Sequence, residues 1–351
     1  MPVTRSKSFE DAQFKAGKRG SPGVAPPSAP AEETWILTDG TAGTEAQCIA
    51  VAEGVGLPYS VRRIHPRGAL RLLPVTLQLA VPPRLRLRFT HANEPLTPPW
   101  PRLILSSGRR SVPTALAIKH LSGALAVHIQ NPKVPARLFD LVAAPIHDDV
   151  GGPNVIATQG SMHRVSPERV AAEAERWDAR FAHLPHPRIA VLLGGTSGAF
   201  TFGASEAEAF GTQLAHLVRE TGGALLVTPS RRTGAEAMKA FSEAIAGVPH
   251  FLWDGSGDNP YLALLGSADA IVVTEDSVNM VTEAAGTGKP VYVQPLPGKS
   301  RRIGHFHAAM QACGATRSFE GRIDSWTYTP INDTWVVASA IRRALKLESK
   351  A

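Results

Sequence analysis

Short apolar runs rich in Val, Ile and Leu recur along this chain, many ending in a polar turn before a stretch of helical period. In the first half the runs begin at Thr34 and recur at Tyr59–Ile64, Leu103–Leu105, Ala124–Ile129, Phe139–Ala143 and Val155–Ala157. In the second half they open with RIAVLL and recur at Ala224–Thr228, His250–Trp253, Ile271–Val273 and Val291–Val293. Strands that alternate with helices and end in polar loops predict an α/β protein with parallel sheets, its ligands at the carboxyl ends of the strands. The clearest helix is SPERVAAEAERWDARFAHL, Ser166–Leu184, with Ser166 as cap, Pro167 in the first turn and Glu168 behind it. LPHPR then breaks the pattern and marks a domain boundary. The chain divides into a disordered basic, Pro-rich tail (1–33), a first α/β domain (34–184), a second (185–330) and a closing helix (331–351) whose periodic part is Asp333–Leu347.

Ile271–Pro297, IVVTEDSVNMVTEAAGTGKPVYVQPLP, reads as buried strand, polar turn, helix and second buried strand. Thr274, Glu275, Asp276 and Ser277 fall where the strand ends and the helix begins. There, free backbone N–H groups and the helix dipole favour an anion. Asn279 lies in the first turn, and Glu283, about one and a half turns along, can reach a ligand's hydroxyl groups. This suits a nucleotide sugar, although an ordinary well-capped βαβ unit gives the same pattern. Two other strand ends in this half are polar: Gly194, Gly195, Thr196, Ser197 and Gly198, and then Ser230, Arg231 and Arg232. In a parallel sheet the three ends converge on one crevice, which favours the ligand reading.

In the first half, Asp39, Gly40, Thr41, Gly43 and Thr44 form a turn where glycine lets the backbone approach a ligand. It matches neither the dinucleotide nor the P-loop fingerprint, so a plain strand-to-helix connection is the other reading. Ser107, Gly108, Arg109 and Arg110 lead into a helix, where paired arginines can grip an oxyanion or stand idle at the surface. His128 and Asn131 close the next strand.

With 351 residues there is material for two domains of about 150 residues each. A content of 43% apolar and 19% charged residues is that of a soluble globular protein. The formal net charge of +7 is unevenly spread: thirteen Lys and Arg face one acid, Glu94, between Gly54 and Arg137, whereas Asp254–Glu283 is acidic. A one-sided basic domain points to a phosphate-bearing substrate or an anionic lipid surface. An aromatic content of 6% and the lack of a recognised motif argue against nucleic acid.

Within that domain GALRLLPVTLQLAVPPRLRLRF, Gly68–Phe89, interleaves apolar residues with Arg71, Arg84, Arg86 and Arg88, and three prolines forbid one long helix. It reads either as an apolar patch ringed by arginines that docks on an anionic membrane face, or as a core helix with a basic outer side. There is no apolar run of about 18 residues and no apolar-centred signal peptide. Cys48 and Cys313 stand far apart, as in a reducing compartment. The expectation is a cytoplasmic protein, peripheral at most on the cytoplasmic face of a membrane. The twelve histidines show no metal spacing, and neither a metal nor a cofactor is expected.

Two α/β halves joined at a Pro break resemble the GT-B glycosyltransferase architecture, two Rossmann-like domains facing a cleft. DGTAG (Asp39–Gly43), HIQNPKVP (His128–Pro135), GGTSGA (Gly194–Ala199) and TEAAGTGKPVYVQP (Thr282–Pro295) are similar to motifs of the lipid-linked N-acetylglucosaminyltransferases of peptidoglycan synthesis. SSGRRS and HFHAAMQACGA fall in similar order. From about Thr34 to Leu347 the chain more specifically resembles the ELM family, named for a plant mitochondrial fission factor and widespread in bacteria. WILTDGTAGTEAQ, TPSRRTG, GDNPYLALLGSADAIVVTEDSVNM and EAAGTGKPV carry that likeness.

The transferase resemblance implies a nucleotide-diphosphate sugar in the second domain. Gly194–Gly198 and the helix start at Ser277 would hold the diphosphate, Arg231 or Arg232 would offset leaving-group charge, and Glu283 would take the ribose hydroxyls. Ser230, Glu275, Asp276 and Asn279 would stand around them. A membrane-associated, anionic or lipid-linked acceptor would meet Gly40, Thr41, Gly43, Thr44, Ser107, Gly108, Arg109, Arg110, His128 and Asn131 of the first domain. The transferases' first Gly loop ends in a His where this chain has Thr44, so the catalytic base falls to Asp39 or Glu45. The alternative is a non-enzymatic peripheral membrane protein acting in membrane remodelling or organelle fission. An epimerase of the free nucleotide sugar would leave the basic stretch without a use.

Overall fold

A computed structural model describes residues 33–347. The tail placed at 1–33 therefore lies, Glu33 aside, outside the described residues. The chain opens with β1 (Thr34–Thr38), buried along its length, and α1 (Ala42–Val55), which Gly56 ends in the left-handed region at φ +80°. β2 (Tyr59–Pro66) leads into the basic-apolar stretch. Its prolines, which supply no N–H, cut it into a 3-10 turn (Gly68–Leu72), α2 (Val75–Gln78) and α3 (Pro83–Arg88), so it is not a core helix. β3 (Thr90–Ala92), β4 (Leu103–Ser107), α4 (Val112–Ser122), β5 (Leu125–Ile129), β6 (Leu141–Pro145) and β7 (Val155–Thr158) complete the first sheet.

After α5 (Pro167–Phe181), capped by Ser166 Oγ accepting from Arg169 N, the second sheet begins. It is built from β8 (Arg188–Leu193), α6 (Ala204–Thr221), β9 (Ala224–Pro229), α7 (Ala235–Ile245), β10 (His250–Leu252), α8 (Tyr261–Ser267) and β11 (Ala270–Thr274). α9 (Val278–Ala285), β12 (Val291–Gln294), α10 (Arg301–Ala312), β13 (Thr316–Ser318) and α11 (Asp333–Ala344) follow.

The first sheet runs β3-β2-β1-β4-β5-β6-β7, parallel except for β2 with β3. The second runs β10-β9-β8-β11-β12-β13 and is parallel throughout. In each, the winding reverses once, between β1 and β4 and between β8 and β11. Connections leaving neighbouring strands at a reversal go to opposite faces, which opens a crevice at the carboxyl ends. The topology alone thus selects the loops after β1, β4, β8 and β11. Successive residues of each strand feed opposite apolar layers, as the pleat requires: Ile36 enters one layer, Trp35 and Leu37 the other.

Two helices cross between the halves. α5, which the sequence pattern assigns to the end of the first domain, buries Val170, Trp177 and Phe181 in the second core beside Ala263 and Leu264 of α8. α11 buries Val337, Ala338 and Ile341 in the first core against Cys48, Val51 and Val55 of α1. The two crossing strands of chain are laced together. Gln159 N and Gly160 N both donate to Asp333 Oδ2 at 2.9 Å, and His163 N donates to Thr334 Oγ1 at 2.8 Å. No helix among the described residues is long and apolar enough to cross a membrane.

Candidate functional site

At the reversal in the second sheet the hub is Asp276, whose side chain is wholly buried. Thr274 Oγ1 donates to its Oδ1 at 2.8 Å, while Gly195 N (3.1 Å) and Arg232 Nη2 (2.6 Å) donate to its Oδ2. Thr274 Oγ1 in turn accepts from Gly194 N at 2.7 Å. One carboxylate thereby ties together the loops after β8, β9 and β11. The two glycines are dictated by this packing: a Cβ on Gly194 would lie 1.9 Å from Asp276 Oδ1, and one on Gly195 2.0 Å from Arg232 O. Thr233, which the sequence reading did not single out, closes the knot by donating to Leu193 O at 3.0 Å and pairing with Ser230 Oγ at 3.2 Å.

The remainder of the Gly-rich loop is stiffened from within. Thr196 Oγ1 accepts from Phe202 N (3.0 Å), and Ser197 Oγ accepts from Phe200 N (3.1 Å). An added Cβ on Gly198 meets nothing within 4 Å. Arg231 is exposed beside Arg232. Glu275 stands apart from its expected role, because its carboxylate accepts from Leu296 N at 3.0 Å and so anchors the loop after β12.

Ser277 caps α9, its Oγ accepting from Met280 N at 3.4 Å. The N–H groups of Val278 and Asn279 belong to the first turn, which has no intrahelical partners to offer them. Down the same helix, Tyr261 donates its hydroxyl to Glu283 Oε2 at 2.6 Å. Burial pushes the Glu283 carboxyl up from its ordinary value, against an opposing pull from that hydrogen bond. Burial, then the facing carboxylate, raise the Tyr261 phenol. Tyr261 escaped the sequence reading, although it sits within the quoted GDNPYLALLG phrase.

Part of the motif around Glu283 serves the chain crossing instead. A Cβ on Gly160 would lie 2.4 Å from Thr282 Cγ2, and one on Gly286 would lie 2.7 Å from His163 Cε1.

In the first domain Gly40 (φ +83°) and Gly108 (φ +82°) take conformations that side chains resist, and they bring the loops after β1 and β4 side by side. Asp39 lies between them, accepting from Thr41 N at 3.1 Å. Glu45 is a correction: Arg63 grips both its oxygens at 2.8 and 2.7 Å, so it is not available as a base. Thr44 turns its hydroxyl onto Thr41 O (2.9 Å). His128 and Ser107 are corrections too. Both are fully buried in the sheet, His128 beside Ser106 Oγ (2.9 Å) and Phe139, and burial lowers its imidazole to about 3. A buried neutral imidazole cannot meet an acceptor. Asn131 organises its own loop, accepting from Lys133 N at 2.9 Å and reaching Asp148 O at 3.4 Å. Arg109 and Arg110 are exposed at the start of α4.

The two reversals face one another. Gln47 of α1 donates to Asn279 Oδ1 at 3.4 Å, and a Cβ on Gly43 would come within 2.9 Å of Asn279 Nδ2. Asp148 of the first domain and Arg302 of α10 add an ion pair at 2.8 Å across the same divide. To one side, the broken 68–89 stretch exposes Leu72 (84%), Leu77 (55%), Leu85 and Phe89 among Arg71, Arg84 and Arg88. Arg86 is the exception, buried and donating to Pro113 O at 2.9 Å. Among the described residues, no group of three or more His, Cys, Asp or Glu is placed to hold a metal ion.

The sequence model of a family described as mitochondrial fission ELM1 matches residues 42–345. The mitochondrial fission protein ELM1 of Arabidopsis thaliana is 30% identical over 274 residues, which covers 70% of this chain and 64% of that protein. The chain therefore spans less than two thirds of that relative's length. An uncharacterised protein of Rickettsia prowazekii is 25% identical over 356 aligned positions, covering 89% of this chain and 98% of its own. Among solved structures, the UDP-GlcNAc 2-epimerase from Methanocaldococcus jannaschii has a TM-score of 0.54 at 12% identity, over 90% of this chain and 99% of that one. At that identity the likeness is one of fold. It is the GT-B-like arrangement of two Rossmann-like domains.

Proposed function

The chain belongs to the mitochondrial fission ELM1 family, and on that footing we propose that it is a GT-B-type glycosyltransferase moving a sugar from a nucleotide diphosphate to a membrane-associated acceptor. The observation that carries this is the placement of Glu283, held by Tyr261 from the start of α8, on α9, the helix whose first N–H groups open at the sheet reversal. The carboxylate would take the ribose hydroxyls, and the diphosphate would lie on Val278 N, Asn279 N and the loop that Asp276 stiffens. Arg231, exposed and one residue from the Asp276-bound Arg232, would offset charge on the leaving group.

In the transfer step an acceptor hydroxyl attacks the anomeric carbon. The bond from that carbon to the diphosphate oxygen breaks, the diphosphate leaves with the electron pair, and Asp39 takes the hydroxyl proton. The exposed leucines and arginines of 68–89 would bring the first domain to a membrane's anionic face.

A second reading is favoured by one observation. Arg63 occupies Glu45, and Thr44 stands where the transferases carry a His, so a retained donor fold without a working base would leave a non-enzymatic membrane adaptor. The two separate in one experiment: incubate the protein with labelled nucleotide sugars and lipid-bearing membranes, then extract the lipids. The transferase delivers label into the organic phase, and Asp39→Asn abolishes it. Vesicle binding with no label transferred from any donor rejects the enzyme and leaves the adaptor.

A further inference from the structure

We infer that the cavity between the end of β2, the Gly68–Leu72 turn, α2 and the start of α4 is a binding site for the phosphate headgroup of a membrane lipid. This cavity, of about 620 Å³, is lined on its polar side by His65, Arg71, Arg109 and Arg110. Leu73, Pro74 and Val75 form an apolar wall. Arg71 comes from the turn after β2, whereas Arg109 and Arg110 follow β4. They meet because β2 and β4 flank β1 and release their chains at the same carboxyl edge.

None of the lining residues is an acid, so among the described residues three guanidinium groups share a wall that holds no carboxylate. Guanidinium forks match phosphate oxygens in shape as well as charge. A second observation is independent of charge. Gln78, 6% exposed, donates Nε2 to Leu73 O at 2.9 Å, and its Oε1 is buried without a hydrogen-bond partner. A buried acceptor left unpaired is costly, and a protonated oxygen of a phosphate monoester would supply the missing donor.

The occupant is a lipid and not a free anion because the same segment presents Leu72 and Leu77 to solvent on either side of the apolar wall. Chains leaving the headgroup can run over those leucines while the phosphate stays under the arginines. This deepens the acceptor half of the proposed function and rests on that reading for its purpose, but binding here needs no sugar donor.

The test is co-flotation with phosphatidylcholine vesicles doped with phosphatidic acid, beside vesicles brought to the same surface charge with oleate. The wild-type protein should prefer the phosphate vesicles by roughly tenfold, the scale of one lost charge-assisted contact pair. Arg109→Gln with Arg110→Gln, both exposed, should erase the preference while leaving weaker, equal binding to the two vesicle types. Leu72→Ser with Leu77→Ser should weaken both alike. Equal affinity of the wild type for both vesicles overturns the site and leaves diffuse surface charge. Displacement by inorganic phosphate as effective as by soluble dihexanoyl-phosphatidic acid overturns the lipid assignment. Titration with a nucleotide sugar is a separate reading on the second domain. Failure here with donor binding intact leaves the proposed enzyme standing, and the converse result leaves this site standing.

Discussion

His128 illustrates how far a single residue can mislead when read from its neighbours. HIQNP promised a polar strand end, yet the strand places His128 within the sheet and leaves Gln130 and Asn131 beyond it. Buried and neutral, it becomes a determinant of acid stability. Its folded value of about 3 lies below the ordinary 6.5, so the unfolded chain binds the proton more readily. The contribution is complete above pH 6.5 and is lost as pH falls toward 3, at up to about 1.4 kcal/mol per pH unit for one proton. Urea unfolding at pH 7.5 and pH 5 should therefore show a stability drop that His128→Gln reduces by about 2 kcal/mol. An unchanged drop in the variant would mean that His128 is not the group being charged. Glu45 misleads in another way. Its place in the first turn of α1 was legible, but the Arg63 that claims it lies 18 positions on, in β2, and only the sheet pairing brings the two together. Asp276 was legible as a strand-end acid, whereas its task of holding Gly195 and Arg232 required the fold.

At the scale of elements, periodicity served well wherever one face of a strand or helix meets a core. Ser166 caps α5 as its sequence indicates, and the strands of both sheets fall on the apolar runs except the short edge strands β3 and β13, whose THA and TRS carry no such run. It served badly at 68–89, where leucine spacing suits a core helix and a docking patch equally. Three prolines decide the matter by breaking the segment so that only part of it can turn inward. Leu70 is buried and Leu72, two residues on, is not. Leu70→Ala should then cost roughly 2–5 kcal/mol of folding stability. Leu72→Ser should change it by less than about 0.5 kcal/mol while reducing vesicle binding. Thermal and chemical melts of the two variants check this, and comparable losses would place Leu72 in the core. The helices α5 and α11 were found from their pattern, but their partners were not. An amphipathic face states that it will be covered and is silent about which sheet covers it.

For the whole molecule, two sheets with one winding reversal each, laced by crossing helices, set their carboxyl edges against each other at Gly43, Gln47 and Asn279. That arrangement places the N-terminal turns of α1 and α9 in one cleft, with Asp39 after β1 on one side and Glu283 of α9, bonded to Tyr261 of α8, on the other. On the proposed function, this second side binds a nucleotide sugar. The most direct test is calorimetric titration of UDP and UDP-N-acetylglucosamine, with other nucleotide sugars, into the wild-type protein and into Glu283→Ala. Saturable binding of at least one of them, weakened roughly a hundredfold in the variant, is the expected result, the scale of about 3 kcal/mol for a hydrogen-bonded charge. Binding to none of them by a folded wild-type protein would contradict it.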